Sequence, residues 1–189
     1  MLFRSRLDAP DIACLDFLAT FIRRVREAYP KGAAIRLIFT DTHAELNGHA
    51  KQSIDEYFEA VDGSARERGF ETCRMSTLVR AAEIAAPNDS IDEPVPEDML
   101  RRLIITAAKW YRGKASPEEA AVKYYQMNMR EKRAVQSACP HSIFLTFNGS
   151  KLRCLFPPQL PIFYMYSLRR GVSVKPWFLP SAAAPRALF

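Results

Sequence analysis

The chain has no apolar run near the roughly 20 residues that a membrane-spanning helix needs. Its longest, Leu103 to Ala108 and Ile162 to Tyr166, are far shorter. No apolar core follows the arginines of Met1-Leu2-Phe3-Arg4-Ser5-Arg6, so a secretory signal is not expected and cytoplasm is the expected location. Cys14, Cys73, Cys139 and Cys154 form no Cys-x-x-Cys or Cys/His spacing, which leaves a structural zinc site without support. Their neighbours are apolar or strand-like, and such thiols behave as small buried hydrophobes. Also missing are Gly-x-x-x-x-Gly-Lys-Ser/Thr, Gly-x-Gly-x-x-Gly and Gly-x-Ser-x-Gly, so nucleotide hydrolysis, dinucleotide redox and serine hydrolysis lack their usual signatures. No internal repeat is visible.

What is present is ordinary for a globular chain. Hydrophobic residues at 48% and charged residues at 25% argue against disorder and against a fibrous repeat. The 189 residues suit a single domain spanning 1–189, which would bury roughly 70% of its unfolded surface. A net charge of +6 permits an anionic partner. The cations are interleaved with acids, however, and no zinc-finger, RNA-recognition or KH signature accompanies them, so a nucleic-acid partner is not expected.

Local patterns give an alternation of helices and strands. A helix starts near Asp8 with Pro10 in its first turn, carries Ile12, Leu15, Leu18, Ile22 and Val25 at helical spacing, and stops at Pro30. The run Ala34 to Thr40 reads as an interior strand. Ser53-Ile54-Asp55-Glu56 has the pattern of a capping box, followed by the stripe Ile54, Tyr57, Phe58, Val61 and Ala65, with Gly69 as a left-handed stop. Phe70 to Met75 is a second strand, and Ser76 would cap a short helix to about Ala85. The acidic, proline-punctuated stretch 86–96 is a connector, either a plain loop or a lid. Helices follow over 97–111 and 117–138, the second opened by Ser116-Pro117-Glu118-Glu119. Residues 142–147 and 151–156 flank Asn148-Gly149 as a hairpin, 162–166 is a further strand, and the tail from about 180 is loose. The predicted fold is α/β: a Rossmann-like open, mostly parallel sheet with flanking helices and a C-terminal β-hairpin.

Ligands bind such sheets beyond the carboxyl ends of the strands, where Asp41 stands. If the chain stays extended past Asp41, a period of two gathers Asp41, His43, Glu45, Asn47 and His49 on one side and sends Thr42 to the other. Asp41, His43 and Glu45 then supply groups for general acid–base catalysis, suited to carbonyl and imine chemistry. The alternative is an open metal site built from Asp41, His43 and His49. On the 117–138 helix, Tyr124, Asn128, Glu131 and Val135 share one face, so Asn128 and Glu131 are polar candidates within a stripe.

The order of features resembles the pyoverdine/dityrosine biosynthesis family, the isocyanide (isonitrile) synthases. The shared features are a strand ending in Asp41, a short polar stretch to Gly48, a helix carrying Tyr57, a later hairpin and Pro176-Trp177. The chain differs at Thr42-His43, where the family has glycine and an aromatic, and at Phe178, where it often has histidine. The resemblance implies a biosynthetic enzyme of specialised metabolism that condenses an L-amino acid's α-amine with ribulose 5-phosphate. Proton transfers and carbon–carbon cleavages would then leave an isonitrile. It implies no metal or redox cofactor and small-molecule partners only. Asp41 matches the family's strand-end Asp. Lys109, Arg112 or Lys175 would clamp the phosphate, and the expected substrate-binding set is Asn47, His49, Lys109, Arg112, Asn128, Glu131, Lys175 and Trp177. A homologue with altered chemistry, acting as a binding protein, is the remaining alternative.

Overall fold

In the computed structural model the described residues are 7–44, 46, 48–86, 94–111, 113–146, 159–165, 167–169 and 172–178, with backbone alone at 109, 110, 167–169, 172–174 and 178. Helix α1 (Ala9–Ala28) opens on a capping box in which the Asp8 carboxylate accepts from the Asp11 amide and the Asp11 carboxylate accepts from the Asp8 amide. Two orphan donors of the first turn are thereby satisfied. Leu15, Leu18 and Ile22 form its buried stripe, as their spacing predicts.

Strand β1 (Arg36–Phe39) leads through α2 (Lys51–Glu67) to β2 (Glu71–Arg74), which pairs with β1 in parallel from Arg36↔Glu71 to Phe39↔Arg74. Helix α2 begins earlier than the Ser53 pattern predicts. Its N-cap is Ala50, with no side-chain cap, and Glu56 accepts from the Gln52 amide at 2.9 Å instead of reaching back to a helix start. The serine motif is blind to where the chain enters the helix, and here entry comes three residues upstream. The helix ends at Gly69, whose φ of 77° is the left-handed conformation that residues with a Cβ avoid.

Helix α3 (Met75–Ala85) follows β2 without a loop, so its N-cap is Arg74 and Ser76 lies inside the first turn rather than ahead of it. Helices α4 (Glu97–Trp110) and α5 (Pro117–Ala138) pack against each other through Met99 and Leu103 on one side and Tyr125 and Met129 on the other. The Ser116–Glu119 capping box opens α5 as its sequence predicts.

Strand β3 (Phe144–Thr146) pairs in parallel with β4 (Ile162–Tyr164), and β5 (Ser167–Arg169) pairs antiparallel with β6 (Val172–Val174). A short 3-10 turn, Pro176–Phe178, ends the described chain. The expected hairpin at Asn148-Gly149, most of the 86–96 connector and the tail from 180 fall outside the described residues. Among those described, the fold is mixed α/β with two short parallel pairs and one antiparallel pair, not a single extended sheet. None of their helices is long and apolar enough to cross a membrane.

Strand β1 has helices on both faces. Leu37 and Phe39 turn toward α1 and α2, where they meet Leu15, Leu18 and Phe58, while Ile38 turns toward Met75 and Leu78 of α3 and Val135 of α5. This is the period-two alternation of a strand with apolar contacts on both sides, and it explains the unbroken apolar run Leu37-Ile38-Phe39. It also fixes the direction of the chain at Phe39, which stacks on Phe58 at 5.1 Å.

Replacing Ser116 with alanine should lower stability by about 1 kcal/mol, because it removes an N-cap. Ser53→Ala, away from a cap, should cost less than about 0.5 kcal/mol. Urea unfolding midpoints compare the two; equal losses would contradict the helix starts described here.

Candidate functional site

Beyond β1 the chain turns at once. The Asp41 amide donates to the Phe39 carbonyl at 3.0 Å, the Ala44 amide to the Asp41 carbonyl at 3.3 Å, and the His49 amide to the Ala44 carbonyl at 3.0 Å. Ala44 is buried against Phe39, Ile54 and Phe58, which anchors the turn in the core. The extended register expected from Asp41 to His49 is therefore not adopted, and successive side chains fan out toward different helices.

Asp41 points to α3. Its Oδ1 accepts from the Ser76 amide at 2.9 Å and its Oδ2 from the Ser76 hydroxyl at 2.6 Å. A carboxylate at a helix N-terminus satisfies an orphan donor and faces the positive end of the helix dipole. Asp41 thus caps α3 from the end of the neighbouring strand, a job the sequence reading gave to Ser76.

Thr42 and His43 point to α5. His43 Nε2 lies 3.0 Å from Glu131 Oε1, and the Thr42 hydroxyl donates to the same oxygen. The His43 and Glu131 side chains are only 11% and 10% exposed, so the pair is held away from bulk water. The Tyr124 ring lies against the imidazole, 4.9 Å between centroids at 45°. Burial pushes the Tyr124 phenol above its ordinary pKa, and the Glu131 carboxylate adds to the rise. With Nε2 turned to the carboxylate, Nδ1 is left buried and without a hydrogen-bond partner. A neutral imidazole that donates from Nε2 keeps its lone pair on Nδ1.

The loop is covered by the α4–α5 connection. A Cβ on Gly113 would come 2.7 Å from the Leu46 carbonyl oxygen, so the two backbones touch there. The Tyr111 hydroxyl accepts from the Ala115 amide at 3.2 Å and holds that crossing in shape.

Of the residues expected to converge, the structure brings His43 together with Glu131. Asn128 is one turn away but spends its side-chain amide on the Tyr124 carbonyl at 2.7 Å. His49 is half-buried at the end of the loop. Lys175 and Trp177 lie against α1, with the Lys175 ammonium 5.4 Å from the indole and the indole 6.2 Å from the Phe17 ring. Glu45, Asn47, Arg112 and the side chain of Lys109 fall outside the described residues. The metal set of Asp41, His43 and His49 does not assemble, since Asp41 and His43 diverge to α3 and α5. Among the described residues no group of three or more His, Cys, Asp and Glu side chains is placed to hold a metal ion. Thr42 is the participant that the period-two reading put on the wrong side; once the backbone turns, strand alternation no longer applies.

A second ionisable cluster sits where α1 meets α2. The Tyr57 hydroxyl donates to Asp11 Oδ1 at 3.0 Å. Burial raises the Tyr57 pKa, with the Asp11 carboxylate adding to the effect. Burial also pushes the Cys14 thiol up to about 11, against a smaller lowering by Lys175. A thiol so placed is protonated at neutral pH and is a poor nucleophile.

Two measurements follow from these contacts. Asp41→Ala should lower stability by about 1–2 kcal/mol through the lost cap; an unchanged denaturation midpoint would remove the cap from the account. The alkaline limb tests the other cluster. The unfolded chain releases the Cys14 proton near pH 9 and the folded chain holds it to about 11, so stability is complete below 9 and declines as pH rises between those values. Cys14→Ala should lose less stability than the parent as pH rises from 9 to about 11. Identical alkaline losses would mean the thiol is not desolvated.

No family model matches the chain, and no curated protein and no solved structure matches it.

Proposed function

We propose that the chain is a biosynthetic enzyme of specialised metabolism that uses the His43–Glu131 pair to move protons during condensation of an L-amino acid's α-amine with ribulose 5-phosphate. The observation that carries this reading is the buried imidazole, fixed at Nε2 by a carboxylate and left with an unpartnered Nδ1. The substrates come from the resemblance of the sequence to isonitrile synthases, while the geometry supports proton transfer alone. In the same reading the two parallel pairs belong to one Rossmann-like sheet. Its support is that Leu37 and Leu145 share one core cluster while Ile38 and Phe144 share another, so β1 and β3 present matching faces to the same helices.

Condensation of an amine with a ketone forms a C–N bond, then loses water to give an imine. Protons must leave the nitrogen and reach the departing oxygen. Imidazole serves both directions because its intrinsic pKa lies near neutrality. Glu131 would orient the ring and stabilise the imidazolium when Nδ1 takes a proton, and Thr42 would fix the carboxylate. Cleavage of both carbon–carbon bonds of C2 after imine formation would release C1 as formaldehyde and C3–C5 as a glycerol phosphate, the proton of the C1 hydroxyl ending on C3, and would leave C2 on nitrogen as a one-carbon isonitrile.

A binding role is favoured by a different observation. Asp41, the acid that the resemblance makes central, is bonded twice to Ser76, as a structural cap would be. One incubation separates the readings. A panel of L-amino acids with ribulose 5-phosphate labelled at C2 should yield a product carrying the label on its new one-carbon group. His43→Gln should slow that turnover about a hundredfold, within the ordinary range for an acid–base group. If no amino acid acquires label while the folded protein still binds one of them, the synthase reading fails and the binding role stands.

A further inference from the structure

Strand β2 is paired on one side only. Its register runs along β1, and among the described residues no strand lies on its other edge. The Glu71 amide donates to the Ile35 carbonyl at 3.0 Å, so Glu71 and Cys73 turn their backbone groups to β1, while Phe70, Thr72 and Arg74 turn theirs outward. Part of that outward row is used within the chain. The Phe70 amide donates to the Ala65 carbonyl at 3.1 Å, and the carbonyl of Arg74, the N-cap residue of α3, takes the first bond of the helix. The Phe70 carbonyl, the Thr72 amide and carbonyl, and the Arg74 amide make no hydrogen bond among the described residues. Beside them lies a hollow of about 450 Å³, walled by Arg66 of α2 on one face and Leu78 of α3 on the other.

We propose that this edge docks a second copy of the chain, the two β2 strands pairing antiparallel about a two-fold axis at Thr72. In that register Thr72 and its counterpart exchange both bonds, and each Arg74 amide donates to the partner's Phe70 carbonyl. The groups already used, the Phe70 amide and the Arg74 carbonyl, face each other across the axis, so the pairing asks for no bond that the fold has spent elsewhere. An unrelated extended strand would have no reason to leave out that pair. Helix α2 fits the same symmetry. It meets both strands, through Phe58 on Phe39 and Asp62 on Thr72, and therefore lies over the pair. Two strand spacings, about 10 Å, would separate it from its copy, which is a helix-packing distance. Asp55, Glu59, Asp62 and Arg66 recur at helical spacing on its β2 side, where Asp55 meets Arg74 and Asp62 meets Thr72 and Arg66. Glu59 is exposed and makes no ion pair among the described residues. Antiparallel copies of α2 about an axis near Asp62 set Glu59 opposite the partner's Arg66. Asp62, nearest the axis, is already met within its own chain, so no bare like charges oppose there. The surface uses none of the residues around His43, and the inference stands without the synthase reading.

The test is sedimentation equilibrium of the full chain at neutral pH, from about 1 µM to about 500 µM. A reversible monomer–dimer equilibrium should appear within that range, as expected of a small interface. Glu59→Lys should weaken the dimer about tenfold, and adding Arg66→Glu should restore it, because the swap rebuilds each pair with its charges reversed. Glu59 is exposed, so its replacement does not disturb the fold. Thr72→Cys reads the register. Opposed Cα atoms about 5.5 Å apart lie within disulfide range, and oxidised glutathione should yield a dimer linked through position 72, identified by peptide mass mapping. Each of four results would overturn the proposal: a monomer throughout the range, whether or not it takes up an added extended peptide; full affinity in Glu59→Lys; no recovery in the double variant; or a dimer that never links through position 72.

Discussion

A single buried carboxylate, Glu131, sets the arrangement around the end of β1. A polar side chain that is nine-tenths buried must be met by partners, and leaving such a group unmet costs about 1–3 kcal/mol. Thr42 and His43 meet it on one oxygen. The loop after β1 is thereby pinned to α5, and with it the direction in which the imidazole presents Nδ1. Asp41 pins the other side of the same turn to α3. Asp41 and His43, an acid and a base two residues apart, are thus drawn to different helices, which is why the loop does not form the convergent array that its composition suggests.

The parts of this fold legible in the sequence are those decided by near neighbours. The stripe Leu15, Leu18 and Ile22, the Ser116–Glu119 box and the left-handed stop at Gly69 each depend on residues within a turn or two. Their spacing carries the information directly. Glu131 stood out as a polar group on the face of Tyr124 and Val135, but neither its burial nor its pairing with His43 was legible there. What failed depends on distant partners or on backbone direction. Ser53 at the third helical position has the same local pattern as a cap. Thr42 could not be assigned to His43's side without knowing that the chain turns at Ala44. The parallel pairing of β3 with β4 joins segments well apart in the sequence, and no local signal reports it.

Helix α5 serves more than one neighbour. Glu131 and Val135 are buried against the loop and the strands, Tyr125 and Met129 pack on Met99 and Leu103 of α4, and Arg130 reaches toward Glu83 of α3. Ala120, Ala121 and Ala134, all buried, keep the helix slim enough for close approach of its neighbours.

The two contacts that flank the turn differ in how far apart their ends lie along the chain. Asp41 and Ser76 are separated by 35 residues, Thr42 and Glu131 by 89. Closing the longer loop costs about 0.8 kcal/mol more in chain entropy. The β1–α2–β2–α3 segment closes on its own shorter loop and its own parallel register. The orientation of the imidazole is instead set by a side chain of α5 from far along the sequence, and not by the strand that leads into it.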